Sequence, residues 1–435
     1  MTHAHFLARR KRLLQTIGDG VAIIPTAPEV VRNRDAHFPY RFDSYFWYLS
    51  GFPEPEAVVV LVGAQPGKKA KSILFCREKH EEREIWDGYR YGPKAAKAAF
   101  GFDAAYSIED FDRKLPELLV DRDNLWHSVG HDAAWDARIA QALNAVRAQT
   151  RAGKRAPRAI HDLRAELDAM RLVKDAAELG LMQRAADIAS AGHARAMRAC
   201  RPQMAEYELE AELTYEFRKR GADAHAYTPI VAGGANACVL HYVDNNKLLN
   251  DHTLVLIDAG CEVQGYAADI TRTFPVNGRF SPAQKAVYEI VLAAQEAAFA
   301  ATAPGRHFME AHDAAVRVLT QGLVDLKLLT GDVDNLIEKG DFRRFYMHRT
   351  GHWLGLDVHD AGEYKVGDEW TVLCPGMTLT VEPGLYIRPG ADIPPEFAGI
   401  GIRIEDDVRV TESGCDVYTT APKTVAEIEE VMRHD

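Results

Sequence analysis

The residues of this chain best suited to chemistry fall in three short stretches of its second half. The first is LVLIDAGCEVQGYAADITRTFPV (254–276), two β-rich runs around a Gly-containing middle, which is a hairpin signal. With Asp258 opposite Asp269, the turn centres near Val263–Gln264. Directly opposed side chains of a strand pair have Cβ atoms about 4.5–5.5 Å apart, and like charges there destabilise the sheet. A shared cation is one reason to keep two such carboxylates. The other readings put them on opposite faces, or put one of them in the turn.

The second stretch is FYMHRTGHWLGLDVHD (345–360), with His348, His352 and His359. The spacing of His348 and His352 suits a zinc-binding helix of the H-E-x-x-H kind. No Glu follows His348, however, and Gly351 and Gly355 would break a helix. Leu354, Leu356 and Val358 alternate with Gly355, Asp357 and His359 at strand period. One or two of these histidines therefore project from a loop and strand into a shared cleft. Three of them beside acidic residues favour a site over isolated structural histidines.

The third stretch joins TLTVEPGLYI (378–387) to GIGIRIEDDV (399–408). Period 2 puts Ile402 and Ile404 on one face, and Arg403 and Glu405 on the other. Thr380 and Glu382 likewise share a face, before Pro383 and Gly384 end or bend the strand. A charged pair pointing inward from an apolar strand needs a partner. The alternative for Glu405, Asp406 and Asp407 is a solvated acidic turn. Together, Asp258, Asp269, Glu382 and Glu405 supply four carboxylates, and one His a nitrogen. Four carboxylates in one cleft repel unless cations neutralise them, and two divalent ions bring four positive charges. Oxygen-rich ligation with one imidazole suits hard to borderline metals such as Mn²⁺ better than a thiolate-type zinc site. Two metals about 3.5–4 Å apart can activate water and clamp a hydrolytic intermediate.

These stretches must be held by a larger frame. The first 170 or so residues read as an α/β unit. Strands are expected at 21–24, 57–63 and 72–76, and helices at 5–16, 94–100, 109–119, 133–149 and 162–171. TRAGKRAPRA (150–159) reads as a linker or an exposed loop. The boundary falls near 172, giving domains 1–172 and 173–435. In the second domain, helices at 175–200 and 205–220 precede strands at 227–232, 238–243, 253–258 and 266–275. Helices at 282–302 and 308–329 then precede strands at 352–358, 377–387 and 400–410, with a last helix at 423–433. Helix, helix, strands occurs twice: either a repeat of architecture or the ordinary alternation of an α+β domain.

Composition narrows the function. With 47% hydrophobic and 26% charged residues, the 435-residue chain is an ordinary globular one. Its net charge of −11 argues against a general nucleic-acid binder, which needs a basic footprint. No stretch approaches the roughly 20 apolar residues of a membrane span, and the start lacks the apolar run of a secretory signal. The six cysteines lie far apart without C-x-x-C and read as reduced thiols. A cytoplasmic protein acting on neither nucleic acid nor membrane is expected.

The ordered set Asp258, Asp269, His352, Glu382 and Glu405 resembles the two-metal peptidase family with the pita-bread fold. IVAGGANACVLHYVDN (230–245), HWLGLDVHD (352–360), VEPGLYI (381–387) and GIRIEDD (401–407) resemble its proline-specific branch, the Xaa-Pro aminopeptidases (aminopeptidase P). APEVVRNRD (27–35), YRFDSYFWYLSGFPEPEAV (40–58) and IWDG (85–88) extend the likeness to the first half. The resemblance implies an α/β N-terminal domain and an α+β pita-bread catalytic domain. It implies that His352, not His348, is a metal ligand. Asp269 and Glu405 would bridge two divalent ions, Mn²⁺ above all, together with a water. Asp258 would hold one ion, and His352 and Glu382 the other. Glu382 would also be the proton shuttle. His241, His348, His359 and Arg403 would serve catalysis around the substrate, and Tyr386 would join the substrate-binding set. The resemblance further implies a homodimer or homotetramer in which Asp35 and Trp86 line a site. The implied activity is release of the N-terminal residue from peptides with proline second. The alternatives are a prolidase acting on Xaa-Pro dipeptides and, more remotely, a non-catalytic peptide-binding module. One departure stands out: Arg349 follows His348 where many relatives have a small residue.

Overall fold

The computed structural model describes residues 1–433 and divides into two compact units, Met1–Met170 and the chain from Arg171 onward. The first unit is built on a six-stranded mixed sheet. Its order is Ala104–Ser107, Lys71–Cys76, Val58–Val62, Val21–Pro25, Asn124–Trp126, Ala159–His161. Val58–Val62 is antiparallel to both neighbours, and the outer pairs are parallel. All five residues of Val58–Val62 are buried, as expected of an apolar run covered on both faces. Val21, Ile23, Val58, Val60 and Phe75 pack against Phe111, Leu115 and Leu119 of one helix and Leu143 and Val146 of another. These apolar positions recur at helical spacing, so each helix presents one stripe to the sheet.

The segment 150–159 is an exposed loop inside this unit and not a linker between domains. Asp121 donates its amide to Arg155, and residues 159–161 form an edge strand on Asn124–Trp126. The strands Ala104–Ser107 and Asn124–Trp126 and the helix Ser44–Ser50 carry no strong periodic pattern and went unpredicted.

In the second unit the helices Ala176–Ala199 and Glu206–Lys219 precede one group of strands, and Pro282–Ala301 and Glu310–Asp325 precede another. Capping boxes start Ala176–Ala199, at Asp175 with Glu178, and Pro282–Ala301, at Ser281 with Gln284. The first strand group is Ile230–Gly233, Leu254–Asp258 and Thr271–Pro275, all antiparallel. The second is Thr378–Val381, Asp406–Val410 and Cys415–Val417, with Gly384–Ile387 paired to Ile400–Arg403.

Several expected strands differ. Residues 238–243 form no strand; a 3₁₀ turn, Gly234–Cys238, stands at their start. Residues 352–358 are irregular apart from a bridge between Trp353 and Leu379. The long strands expected at 266–275, 377–387 and 400–410 are each broken in two. No helix among the described residues is long and apolar enough to cross a membrane.

Candidate metal centre and cleft

Asp258 ends the buried strand Leu254–Asp258 and lies opposite Thr271, not Asp269. The hairpin closes with Val263 opposite Tyr266, so the turn is Gln264–Gly265, one residue beyond the expected position. Asp269 thus precedes by two the residue facing Asp258. It shares the same face as a diagonal neighbour, not a directly opposed one. The chain kinks here because Gly260 packs on the facing strand: a Cβ at Gly260 would lie 1.7 Å from the Ala268 carbonyl oxygen. The Tyr227 hydroxyl joins the two carboxylates, 2.6 Å from Asp258 Oδ1 and also touching Asp269 Oδ1. A phenol carries one proton, so with two acceptors a second proton or a cation must satisfy the pair.

Arg403 closes the other side of Asp258. Its Nη2 donates to Asp258 Oδ2 at 2.7 Å, its Nε to Thr271 Oγ1 at 3.1 Å and its Nη1 to the Tyr386 hydroxyl at 3.0 Å. Tyr386 in turn lies 2.7 Å from His348 Nε2. His348 Nδ1 is 2.7 Å from the Arg349 carbonyl oxygen, which only a protonated Nδ1 can satisfy. His348 is therefore a neutral imidazole accepting from Tyr386. Burial, then the Arg403 charge, hold its pKa down at about 3.

Glu405 accepts from Thr271 Oγ1 at 2.6 Å. Glu405, Asp406 and Asp407 are 2%, 0% and 0% exposed, which overturns the solvated-turn reading. Asp406 pairs with the fully buried Arg272 at 2.6 Å, and Asp407 accepts the Asp269 backbone N–H at 3.1 Å. The two flanking acids thus build the floor, and Glu405 faces the site with Asp269.

His352 sits on an irregular segment, held by a close approach. A Cβ at Gly351 would meet the Thr380 carbonyl oxygen at 2.1 Å. Its Nδ1 donates to the Trp353 carbonyl at 2.9 Å, leaving Nε2 3.4 Å from Asp269 Oδ2 and 3.6 Å from Glu382 Oε1. That is the orientation by which a carbonyl prepares an imidazole to ligate through Nε2. Burial opposes a charge on His352, but the Asp269 hydrogen bond and the Glu382 charge outweigh it and raise the pKa to about 9. Burial raises Glu382 to about 7. Burial likewise raises Asp258 and Glu405, and the Asp269 charge adds to both. Ligand atoms of Asp269, His352 and Glu405 lie within 4.8 Å of one another. A buried acid cluster that must otherwise hold protons, with one oriented imidazole, fits divalent cations.

A cleft of about 380 Å³ opens over these groups. It is lined by Asp258, His352, Glu382 and Arg403, by His348 and His359, and by Leu240, Arg349, Gly351 and Tyr364. The His359 ring lies 4.3 Å from that of His352. His241 is exposed, next to Leu240 of the lining. Tyr386 is fully buried and reaches the cleft through His348 and Arg403. Asp35 and Trp86 belong to the first unit, where both are exposed, Trp86 at 83%.

Sequence reasoning missed Tyr227, Thr271 and a chain from His312 Nδ1 to Thr350 Oγ1 (2.9 Å) to the Tyr346 hydroxyl (2.6 Å). It also missed a buried clamp behind the histidine segment. Asp360 is bound by Arg171 at 2.5 Å and Lys174 at 2.8 Å, all three nearly inaccessible. Asp360 stands within a recognised motif, but its partners lie in the stretch read as a domain boundary.

Residues 180–412 match the pattern of metallopeptidase family M24, and residues 6–126 that of the aminopeptidase P N-terminal domain. The chain is 44% identical to the Xaa-Pro aminopeptidase of Escherichia coli, over 99% of this chain and 98% of the relative. It is 34% identical to human Xaa-Pro aminopeptidase 3, over 99% of this chain and 86% of the relative. A solved aminopeptidase of Pseudomonas aeruginosa superposes with a TM-score of 0.97 at 51% identity, covering 99% of this chain and 98% of the other. Escherichia coli aminopeptidase P carrying a Glu-to-Ala change, in complex with substrate, also superposes with a TM-score of 0.97, at 44% identity and with the same coverage. With the buried carboxylate cluster, the oriented imidazole and full-length likeness, the chain belongs to metallopeptidase family M24.

Proposed function

We propose that this protein is a metal-dependent exopeptidase that releases the N-terminal residue from peptides with proline in the second position. The observation that carries the reading is full-length likeness to Xaa-Pro aminopeptidases, together with a buried cluster of four carboxylates and one imidazole on the cleft floor. Asp258, Asp269, His352, Glu382 and Glu405 would together hold two divalent ions. When bound, such ions neutralise the carboxylates, polarise the scissile carbonyl and acidify a water.

The chain's own groups do the rest. Glu382 is a carboxylate on the cleft lining beside the place of the attacking water, which suits it to accept and return a proton. It takes the proton of the attacking water and delivers it to the departing proline nitrogen. That nitrogen carries no N–H in the substrate, so the cleft needs a surface for the ring and no acceptor for an amide proton. Leu240 and Tyr364 supply lining of that kind. Neutral His348, fixed by Tyr386, and His359 position the proline side, and His241 steadies the carbonyl oxygen as charge builds on it. Arg403 holds Asp258 and Tyr386 in place at the same time. The free α-amine of the substrate is held at the floor by carboxylate oxygens that accept its N–H groups, which makes the reaction an exopeptidase's.

Manganese is the proposed metal, because four carboxylates and one imidazole form a hard donor set. The proposed compartment is the cytoplasm. The proposed assembly is a homodimer or homotetramer, supported by Trp86, Ile85, Phe38 and Val31 exposed on the first unit at 50–83%. A Trp86→Ala change is expected to lower the mass read by light scattering. The test of function is hydrolysis of Xaa-Pro-Yaa against Xaa-Ala-Yaa peptides by metal-loaded protein, with release of the first residue from the former alone.

A further inference from the structure

Among the described residues two arginines line the cleft, and they differ in kind. Arg403 is buried and fully engaged with Asp258, Thr271 and Tyr386. Arg349 is exposed, and among the described residues its guanidinium has no carboxylate or hydrogen-bond partner. It is held instead over the Trp370 ring, 5.2 Å from the centroid. Trp370 is borne by a short hairpin, Lys365–Val366 with Glu369–Trp370. Lys365 reaches the same ring at 5.3 Å but also has Asp368 at 3.8 Å. The Arg349 backbone is fixed too, because its carbonyl accepts from His348 Nδ1. A guanidinium stacked on an aromatic ring keeps its in-plane N–H groups free for a planar acceptor.

The cleft therefore has a floor of carboxylate oxygens that can accept from an amine and, in its wall, one arginine that pairs with no acid among the described residues. A short peptide is a zwitterion with an ammonium at one end and a carboxylate at the other. Resting on the exopeptidase reading above, we propose that Arg349 receives the C-terminal carboxylate of Xaa-Pro-Yaa tripeptides while their α-amine faces the acidic floor. Arg349 is then a residue that favours short substrates, and its fork matches a carboxylate bidentately. Peptides too long for their carboxylate to stop at Arg349 gain nothing from it.

The experiment compares a tripeptide acid with the same tripeptide as its C-terminal amide, using metal-loaded full-length enzyme. Exposed ion pairs are worth little and charge-assisted hydrogen bonds more, which brackets the preference for the acid at about 5- to 20-fold in KM. The expected ratio of amide KM to acid KM collapses toward one in Arg349→Gln and Arg349→Ala. It survives in part in Arg349→Lys, and falls as salt is raised in the parent enzyme. Trp370→Leu, which removes the ring and keeps the charge, should lie between. A parent ratio near one, or a ratio left intact by Arg349→Ala, would overturn the assignment. No turnover of either tripeptide by the parent enzyme would overturn the functional reading, and this inference with it.

Discussion

Stripping the metals from this protein should make its stability fall between pH 7 and pH 9. The cause is His352, whose pKa is raised to about 9 by Asp269 and Glu382 against the opposing effect of burial. An unfolded histidine titrates near 6.5, so folding holds this proton more tightly. Its contribution is present in full below about 6.5 and is lost as pH rises through about 9. At about 1.4 kcal/mol per pKa unit, the loss between pH 7 and 9 is about 2 kcal/mol. Glu382, raised to about 7, acts in the same sense with most of its loss over by pH 7, and Glu405 and Asp407, pushed well above the usual carboxylate range by burial and the Asp269 charge, add to the loss in the same direction. His348, His312 and His193 are lowered to about 3, 4 and 4 by burial and act the opposite way, gaining stability as pH rises to about 6.5. They are spent before the window opens. The buried thiols of Cys76, Cys200 and Cys261, pushed up to about 12 by burial, begin to add to the loss near pH 9. The His352 share is therefore the difference between parent and His352→Asn. Urea unfolding of chelator-treated protein at pH 7 and 9, with and without that substitution, measures it. Metal-loaded protein should lack this slope, since the imidazole then carries no proton. A metal-stripped parent as stable at pH 9 as at pH 7, or one with the same slope as His352→Asn, would refute the reasoning.

Glu382→Gln should lower kcat by about 10²–10⁴-fold, the usual share of a general base, with metal content checked alongside. Asp269→Ala or Glu405→Ala should release metal and abolish turnover, whereas His348→Ala should cost rate with metals retained; metal analysis of the purified variants separates the two. Asp360→Asn leaves Lys174 buried beside half a partner, and breaking a buried pair costs about 3–5 kcal/mol. The unfolding midpoint should drop accordingly, and Lys174→Met combined with it should recover part of the loss.

The ligand set was legible because each member stands in a short run whose composition is unusual: an Asp in an apolar strand, three histidines among glycines, an Arg-Ile-Glu alternation. What failed was register and conformation set by distant contacts. Asp258 faces Thr271 because the turn is Gln264–Gly265, with Gln264 itself at positive φ, which sequence patterning did not single out. Residues 352–358 alternate like a strand, yet the chain coils around the Asp360 carboxylate. A Cβ at Gly355 would meet Asp360 Oδ2 at 2.2 Å, and Arg171 and Lys174 draw that carboxylate inward from far along the chain. The run Glu405-Asp406-Asp407 resembles surface locally. Arg272, Gln295, Thr419, Lys423, Thr271 and the Asp269 amide, each brought in by the fold, make it interior. The edge strand Ala159–His161 is three residues long and half-exposed, and the basic, small-residue run 150–159 leads straight into it, so that run reads as a linker or loop.

On this reading the cleft cuts the bond before proline at a free N-terminus, with metals held by the carboxylate cluster. Chelator-stripped protein titrated with Mn²⁺, while release of the first residue from an Xaa-Pro-Yaa tripeptide is followed, tests it most directly. No activity is expected without metal, with recovery that saturates at two equivalents per chain. A free first residue and intact Pro-Yaa are the expected products. Full activity in the stripped protein, or cleavage confined to Xaa-Pro dipeptides, would contradict it.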